Sequence, residues 1–186
     1  MQYAQMATDY PLWVYYPNHS TPPDWVETFI GIVRDQRDAI DSTVVNALNS
    51  DKVLAHLAPG LAAAGYSVET GKKTTEKVKR PVLYGDQGKA RVTYEVDAAH
   101  DVLGVVVEVE AGRGARGNAI YRDLIRASLV VNVRFLALGV MTEYRHLSKG
   151  KQQYVKSFHE AREQLDAIYA SGQLVLPFQG LLLFGY

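Results

Sequence analysis

The stretch VEVEAGRGARGNAIYRDL, residues 107–124, decides how this sequence folds, and it supports two different interpretations. Three glycines, Gly112, Gly114 and Gly117, form G-x-G-x-x-G after an apolar strand and before a predicted helix, which is the outline of a dinucleotide-binding turn. Two glutamates, Glu108 and Glu110, stand directly before that turn. The question is whether the turn holds a pyrophosphate or the glutamates hold a metal ion.

The dinucleotide interpretation fits the surrounding chain poorly. A dinucleotide-binding strand normally opens its fold, whereas this strand comes after residue 100 and leaves too little chain for a doubly wound sheet. Two carboxylates beside a pyrophosphate would also repel it by several kcal/mol in a partly dry site. A tight connection between strand and helix explains the glycines more simply, because glycine adopts backbone conformations that other residues avoid.

The composition and the charge pattern of the chain limit which kinds of protein it can be. A chain of 186 residues with no cysteine is expected to form one domain, residues 1–186, without disulfides or cysteine-bound zinc. No signal peptide and no run of about 18 apolar residues is visible, so we expect a cytoplasmic protein that does not enter a membrane. The net charge is zero, but an acidic segment, 95–110, lies between basic segments. Such a pattern suits a metal-dependent enzyme acting on a phosphate polymer, and a mixed solvated surface is the alternative.

Hydrophobic periodicity predicts an α/β fold with a central mixed β-sheet flanked by helices. Residues 1–23, rich in aromatics and proline, are expected to form an irregular N-terminal arm. Helices are expected from Asp24, from Ser50 to a stop at Gly65 with a kink or end at Pro59, over 118–131 and over 151–170. Strands are expected at 66–70, 81–84, 90–97, 102–110, 134–141 and within 174–186. The segment AAHD, 98–101, is expected to be the hairpin turn between the third and fourth of these strands, and 102–141 a parallel βαβ unit.

Strand geometry indicates in which direction the side chains of the two glutamates point. Residues two apart in a strand share a face, so Glu108 and Glu110 project together while the neighbouring valines project to the other side. The expected hairpin brings Asp97 close to Glu108. Three converging acids are destabilising unless a cation or protons neutralise them, and oxygen ligands of this kind suit Mg²⁺ or Mn²⁺. The alternative is that both glutamates face water on an exposed strand.

The pattern Val96-Asp97, ten residues, then Glu108-Val109-Glu110 resembles the PD-(D/E)xK nuclease superfamily. More narrowly, it is similar to type II restriction endonucleases in which a glutamate replaces the lysine of the E-x-K motif. The resemblance covers about Ala90 to Tyr144, including YRDL, 121–124, in the following helix. It implies a restriction-endonuclease-like core within residues 50–186 and a Mg²⁺- or Mn²⁺-dependent endonuclease that hydrolyses DNA, with a role in restriction or defence.

The resemblance also implies roles for individual residues. Asp97 and Glu108 would bind the metal, with the Val109 carbonyl as an extra ligand, and Glu110 would take the place of the lysine. An acid cannot stabilise developing negative charge as lysine would, but Glu110 could accept a proton from the attacking water. Glu69 is a candidate fourth acid, with an ordinary exposed glutamate as the alternative.

Basic residues around the acids are candidate phosphate ligands: Arg113, Arg116, Arg122, Arg126, Lys72 and Lys73. For Arg122 and Arg126 the alternative is a solvated helix face with an Asp123–Arg126 pair. Two other functions stay open, namely a catalytically inactive relative that binds nucleic acid or a protein partner, and an unrelated α/β domain. Enzymes that cut both strands are often symmetric dimers, so a homodimer fits the first function. LLLFGY, 181–186, would offer an apolar edge for it if exposed, and a buried final strand is the other use.

Overall fold

The computed structural model describes residues 10–45, 48–112 and 118–186. The helices are α1 (Asp24–Asp35), α2 (Arg37–Ile40), α3 (Ser50–Ala63), α4 (Ala119–Ser128) and α5 (Ser157–Ser171). The strands are β1 (Leu12–Tyr16), β2 (Ser67–Val68), β3 (Val78–Tyr84), β4 (Ala90–Val96), β5 (Ala98–His100), β6 (Val105–Glu110), β7 (Phe135–Val140), β8 (Tyr144–Ser148), β9 (Lys151–Val155) and β10 (Gly180–Gly185).

One mixed sheet of six strands, in the order β1-β10-β7-β6-β5-β2, organises the molecule. Strands β6, β7 and β10 run parallel, β1 pairs antiparallel with β10, β5 pairs antiparallel with β6, and β2 pairs antiparallel with β5. Two ribbons of two strands each, β3–β4 and β8–β9, stand apart from this sheet. The predicted α/β class with a central mixed sheet flanked by helices is therefore confirmed.

The core consists of two apolar layers, one on each face of the sheet. Helices α1 and α3 cover one face through Phe29, Ile30 and Leu57, and α4 and α5 cover the other face with the remaining apolar side chains of the sheet. Strand β10 is buried along its whole length, as its continuous apolar sequence requires, because both of its faces are covered. The predicted parallel unit β6–α4–β7 is present.

The predicted position of the hairpin turn, residues 98–101, is wrong. Ala98–His100 form strand β5 rather than a turn, and the small alanines are buried between β6 and β2. The chain turns instead at residues 101–104, where Gly104 takes a positive φ of 67°. Strand β4 pairs with β3, not with β6, so β4 and β5 form one long stretch that bends at Asp97.

Two further expectations are corrected. Within the arm expected to be irregular, Leu12–Tyr16 form an edge strand against β10, because Pro11 and Pro17 flank this aromatic stretch rather than interrupt it. The last helix begins at Ser157 instead of residue 151, because Lys151–Val155 pair with β8 as a hairpin. LLLFGY lies inside the sheet, so it offers no free edge for a dimer.

The second predicted helix is confirmed, with its apolar face buried and with Gly65 at φ 91° after its end. It continues through Pro59 to Ala63, so proline does not end it. Among the described residues, no helix is long and apolar enough to cross a membrane.

Strand β10 gives a direct test of this packing. Leu183→Ala removes a fully buried side chain and should lower the free energy of unfolding by about 2–5 kcal/mol. Leu147→Ala, at a side chain that is 77% exposed on β8, is the matched control and should change it by less than about 0.5 kcal/mol. Urea denaturation followed by circular dichroism measures both, and equal effects would contradict a central position for β10.

Candidate functional site

The bend between β4 and β5 places Asp97 beside β6. Ala98 pairs with Val107, so Asp97, one residue earlier, falls next to Glu108. The backbone amide of Val109 donates a hydrogen bond of 2.7 Å to Asp97 Oδ2. The structure therefore brings together the first two predicted metal ligands, although through a different hairpin from the expected one.

Glu108 and Glu110 project from the carboxyl end of β6 toward the layer that contains α4. Val107 and Val109, which alternate with them, are buried against the opposite layer with α1 and α3. This alternation is the one expected from the strand pattern. Both glutamates are partly buried rather than facing water, so the exposed-strand alternative is wrong.

A fourth acid, Asp123 of α4, completes the cluster. Asp123 is 3% exposed, and its Oδ2 has no hydrogen-bond partner among the described residues. Its Oδ1 accepts a hydrogen bond of 2.9 Å from Arg122 Nε, and the Arg122 guanidinium also contacts Glu110 Oε1. The Asp123–Arg126 pair, given above as an alternative, is not formed, because Asp123 pairs with Arg122 and is buried.

Burial and mutual repulsion raise the pKa values of three carboxyl groups in the cluster, those of Asp97, Glu108 and Glu110. Burial raises the pKa of Asp97 to about 6, with the Glu69 and Asp123 charges adding to the rise and the Val109 amide opposing it. Burial and the Asp97 charge raise the pKa of Glu108 well above its usual range. Burial, followed by a hydrogen bond that protonated Glu110 donates to Asp123 and by the Asp123 charge, raises the pKa of Glu110 to about 7, against the opposing effect of Arg122. The positive groups around the cluster therefore do not fully offset the burial of its carboxylates and the repulsion among them.

Glu69 lies close to the cluster, bound to Lys77. The Glu69 amide donates a hydrogen bond of 2.8 Å to the Asp97 carbonyl, and Lys77 Nζ lies 2.5 Å from Glu69 Oε1. Both side chains are mostly buried, which distinguishes this ion pair from an ordinary surface pair. The Lys77 charge lowers the pKa of Asp97, so Lys77 is the cation on this side of the site.

The predicted phosphate ligands separate into three groups. Arg113 and Arg116, with Gly114 and Gly117, lie outside the described residues. Lys72 and Lys73 are highly exposed and pair with Asp51 and Glu76, not with the acids of the cluster. Arg122 is engaged inside the cluster, and Arg126 donates to the Glu95 carbonyl at 3.1 Å while lying over the Tyr94 ring.

The donor set of the cluster suits a hard divalent cation, since it consists of carboxylates with one backbone carbonyl nearby. The N–H and C=O of one residue point to the same side of a strand, so the Val109 carbonyl faces the edge that Asp97 occupies. Across residues 10–45, 48–112 and 118–186, no three acidic or histidine side chains stand in a ready metal-binding arrangement. Asp97 Oδ2 is directed to an amide and Glu110 to Arg122, so a cation would require these side chains to rotate.

Two clefts lie near this region, and other residues form their walls. One, of about 260 Å³, lies between α3 and the segment after β2 and has Glu69 and Asp51 in its wall. The other, of about 280 Å³, lies beside β8 and includes Glu143 and Tyr144. The carboxylates of β6 are not among the residues that line these two clefts.

Comparison of the chain with protein-family models, curated proteins and solved structures gave no match.

Asp123 and Lys77 were not among the predicted site residues. The signal for Asp123 was present in the sequence, because Asp123 occupies the same helical stripe as Ile120, Leu124 and Ala127, all of which are buried. An acid on a buried stripe indicates a partner or a site. Lys77 gave no such signal, because its pairing with Glu69 depends on the loop between β2 and β3.

The raised pKa values of the acids predict how the stability of the metal-free protein depends on pH. The folded protein holds protons on Asp97 and Glu110 up to pKa values of about 6 and about 7, whereas the unfolded chain releases them near pH 4. Stability from these groups is thus fully present below about pH 4 and is lost as the pH rises through 6 to 7. We expect the free energy of unfolding to fall by several kcal/mol between about pH 4 and about pH 7, because a difference of one in pKa corresponds to about 1.4 kcal/mol.

Urea denaturation in EDTA at several pH values measures this loss. Asp97→Asn should flatten the profile, because asparagine keeps the acceptor for the Val109 amide without a titrating charge. Asp35→Asn, at an exposed position at the end of α1, should leave it unchanged. A wild-type profile that rises between pH 4 and 7 would contradict the cluster.

Proposed function

We propose that this protein is a metal-dependent endonuclease that hydrolyses phosphodiester bonds in DNA. The observation that carries the proposal is the convergence of Asp97, Glu108 and Glu110, whose pKa values are raised, with the buried Asp123 at one site. Such crowding destabilises a fold unless it serves a cation or a proton transfer. The resemblance of this segment to E-x-E restriction endonucleases identifies the reaction class.

The proposed roles follow from the position of each group. Asp97 and Glu108 would hold Mg²⁺ or Mn²⁺, with the Val109 carbonyl as a further ligand. The bound ion would supply a polarised water and neutralise charge on the phosphate. Glu110 would stand beside the ion as a carboxylate, which suits a base that deprotonates the attacking water. Lys77 and Arg122 would offset negative charge as the phosphate enters.

The arrangement of elements supports a restriction-endonuclease-like core. Helix α3 precedes strands that lead to Asp97, β6 carries the E-x-E segment, and the crossover helix α4 leads to β7. Under this proposal the protein serves restriction or defence, and cutting both strands would call for a symmetric homodimer. Since LLLFGY is buried, a dimer would have to use another surface.

The second candidate is a catalytically inactive nuclease-fold module that binds nucleic acid or a protein partner. One observation favours it: the Arg122 guanidinium already contacts both Glu110 and Asp123. In an inactive module this arginine would be a permanent counterion. In an active enzyme it would have to release Glu110 during turnover.

Glu108→Gln tests the nuclease proposal. We expect this variant to lower cleavage of a plasmid in Mg²⁺ by at least about 100-fold, because an amide is a poor metal ligand. At pH 8 the metal-free variant should be as stable as the wild type or more stable, because one repelling charge has gone. Gel electrophoresis measures cleavage and urea denaturation measures stability.

The matched control is Glu27→Gln, at an exposed glutamate on α1, which should change neither measurement. Full activity of Glu108→Gln would refute the assigned metal ligand. A loss of stability above about 1 kcal/mol would identify Glu108 as a structural group instead.

Metal binding separates the enzyme from the inactive module. At a Mn²⁺ concentration about 100 times Kd, binding to the folded state should add about 2.7 kcal/mol and raise the Tm by about 5–10 °C. Asp97→Asn should abolish this rise, and Glu27→Gln should retain it. Differential scanning fluorimetry in EDTA and in Mn²⁺ gives the comparison, and a wild-type Tm insensitive to both Mn²⁺ and Mg²⁺ would favour the inactive module.

A further inference from the structure

The β3–β4 ribbon leaves the body of the protein at the catalytic acids. Its root is fixed: Val78 and Val96 are buried, Arg80 Nε lies 2.8 Å from Asp101 Oδ1, and Val131 donates to the Pro81 carbonyl at 2.9 Å. Strand β4 then runs directly into Asp97. The position of the ribbon is therefore coupled to the position of the site.

The outer half of the ribbon is mostly exposed, although Val82 at its base packs against the core layer that contains α4 and α5. Leu83 and Tyr84 on one strand and Val92 on the other are exposed at 48%, 49% and 37%. Apolar side chains exposed on both strands of an isolated hairpin indicate a binding surface for another molecule.

The charge of the ribbon indicates the chemistry of its partner. Lys79, Lys89 and Arg91 form no ion pair with any described residue, and Asp86 at the turn is the acid of the outer half. By contrast, Arg122 and Arg126 are engaged with the protein itself. The unpaired positive charge of this surface thus lies on the ribbon rather than on α4.

We propose that the outer half of the β3–β4 ribbon, residues 82–92, binds the DNA duplex and positions it over the carboxylate site. This inference rests on the proposed nuclease function and names the element that holds its substrate. A two-stranded ribbon fits the major groove of a duplex, and exposed lysine and arginine side chains contact its phosphates. Tyr84 and Leu83 at the tip supply apolar contact with bases or sugars.

The reach of the ribbon matches this role. From Lys89 to Asp97 the strand covers about 26 Å at about 3.3 Å per residue. With a rise of about 3.4 Å per base pair, that distance corresponds to about eight base pairs. The tip would contact DNA within one helical turn of the phosphate that is cut.

The ribbon variant is Lys89→Gln with Arg91→Gln, and the matched control is Lys149→Gln with Lys151→Gln at the exposed tip of the other hairpin, β8–β9. Both remove two positive charges from a hairpin turn. Fluorescence anisotropy with a labelled 30-base-pair duplex, in EDTA so that no cleavage occurs, gives Kd at several salt concentrations. Circular dichroism checks that the Tm of each variant is unchanged.

We expect the ribbon variant to bind at least about 10-fold more weakly and its log Kd against log salt slope to fall by about 1.8, the value for two lost phosphate contacts. The control should stay within about 2-fold of the wild type. Equal weakening of both variants, or of neither, would overturn the ribbon proposal. Unchanged DNA affinity with a dimer that dissociates in light scattering would assign the ribbon to a second copy of the chain and would also overturn it.

The nuclease function is judged separately by plasmid cleavage in Mg²⁺. A wild type that cuts DNA while the ribbon variant binds normally would retain the function and reject the ribbon. A wild type that binds DNA through the ribbon and never cuts would retain the ribbon surface and reject the nuclease.

Discussion

The hydrogen bond from the Val109 amide to Asp97 is the constraint on which the site depends. It joins the bend of a long strand to the edge of the strand that carries Glu108 and Glu110, and it holds one carboxylate oxygen where the sheet ladder ends. Because β5 stops pairing there, the ladder leaves room for carboxylates instead of another strand. The acids are thus placed by the backbone of the sheet, which is rigid, and not by a loop.

The bend at Asp97 also divides the labour between two parts of one stretch of chain. On one side of the bend, β5 is buried within the sheet between β6 and β2. On the other side, β4 leaves the sheet and pairs only with β3. Any force exerted on the ribbon therefore reaches the acids through a short and continuous piece of backbone. Under the proposed nuclease function, contact between DNA and the ribbon would act on the acids through this piece of backbone.

Strand periodicity was enough to predict that Glu108 and Glu110 share a face and that β7 and β10 are buried, since both follow from a repeat of two and from continuous apolar residues. The hairpin was placed wrongly because Ala98 and His100 carry no strong strand preference, and only their pairing with β6 and β2 makes them a strand. Asp123 entered the interpretation of the sequence only in the alternative of a solvated helix face with an Asp123–Arg126 pair, although the residues of its own stripe are buried. The role of Lys77 could not be predicted from the sequence, because its pairing with Glu69 depends on the conformation of the loop between β2 and β3.

The position of β10 has a consequence for the order in which the molecule is built. Leu12 pairs with Gly185, so the first strand to be synthesised has no hydrogen-bonding partner until nearly the whole described chain exists. Strand β7 likewise waits for β10 on one of its sides. During synthesis the aromatic segment LWVYY and the edge of β7 are open templates for pairing with other chains. The sheet closes only after residues 180–185 insert between them, a long-range step of the kind that makes folding slow.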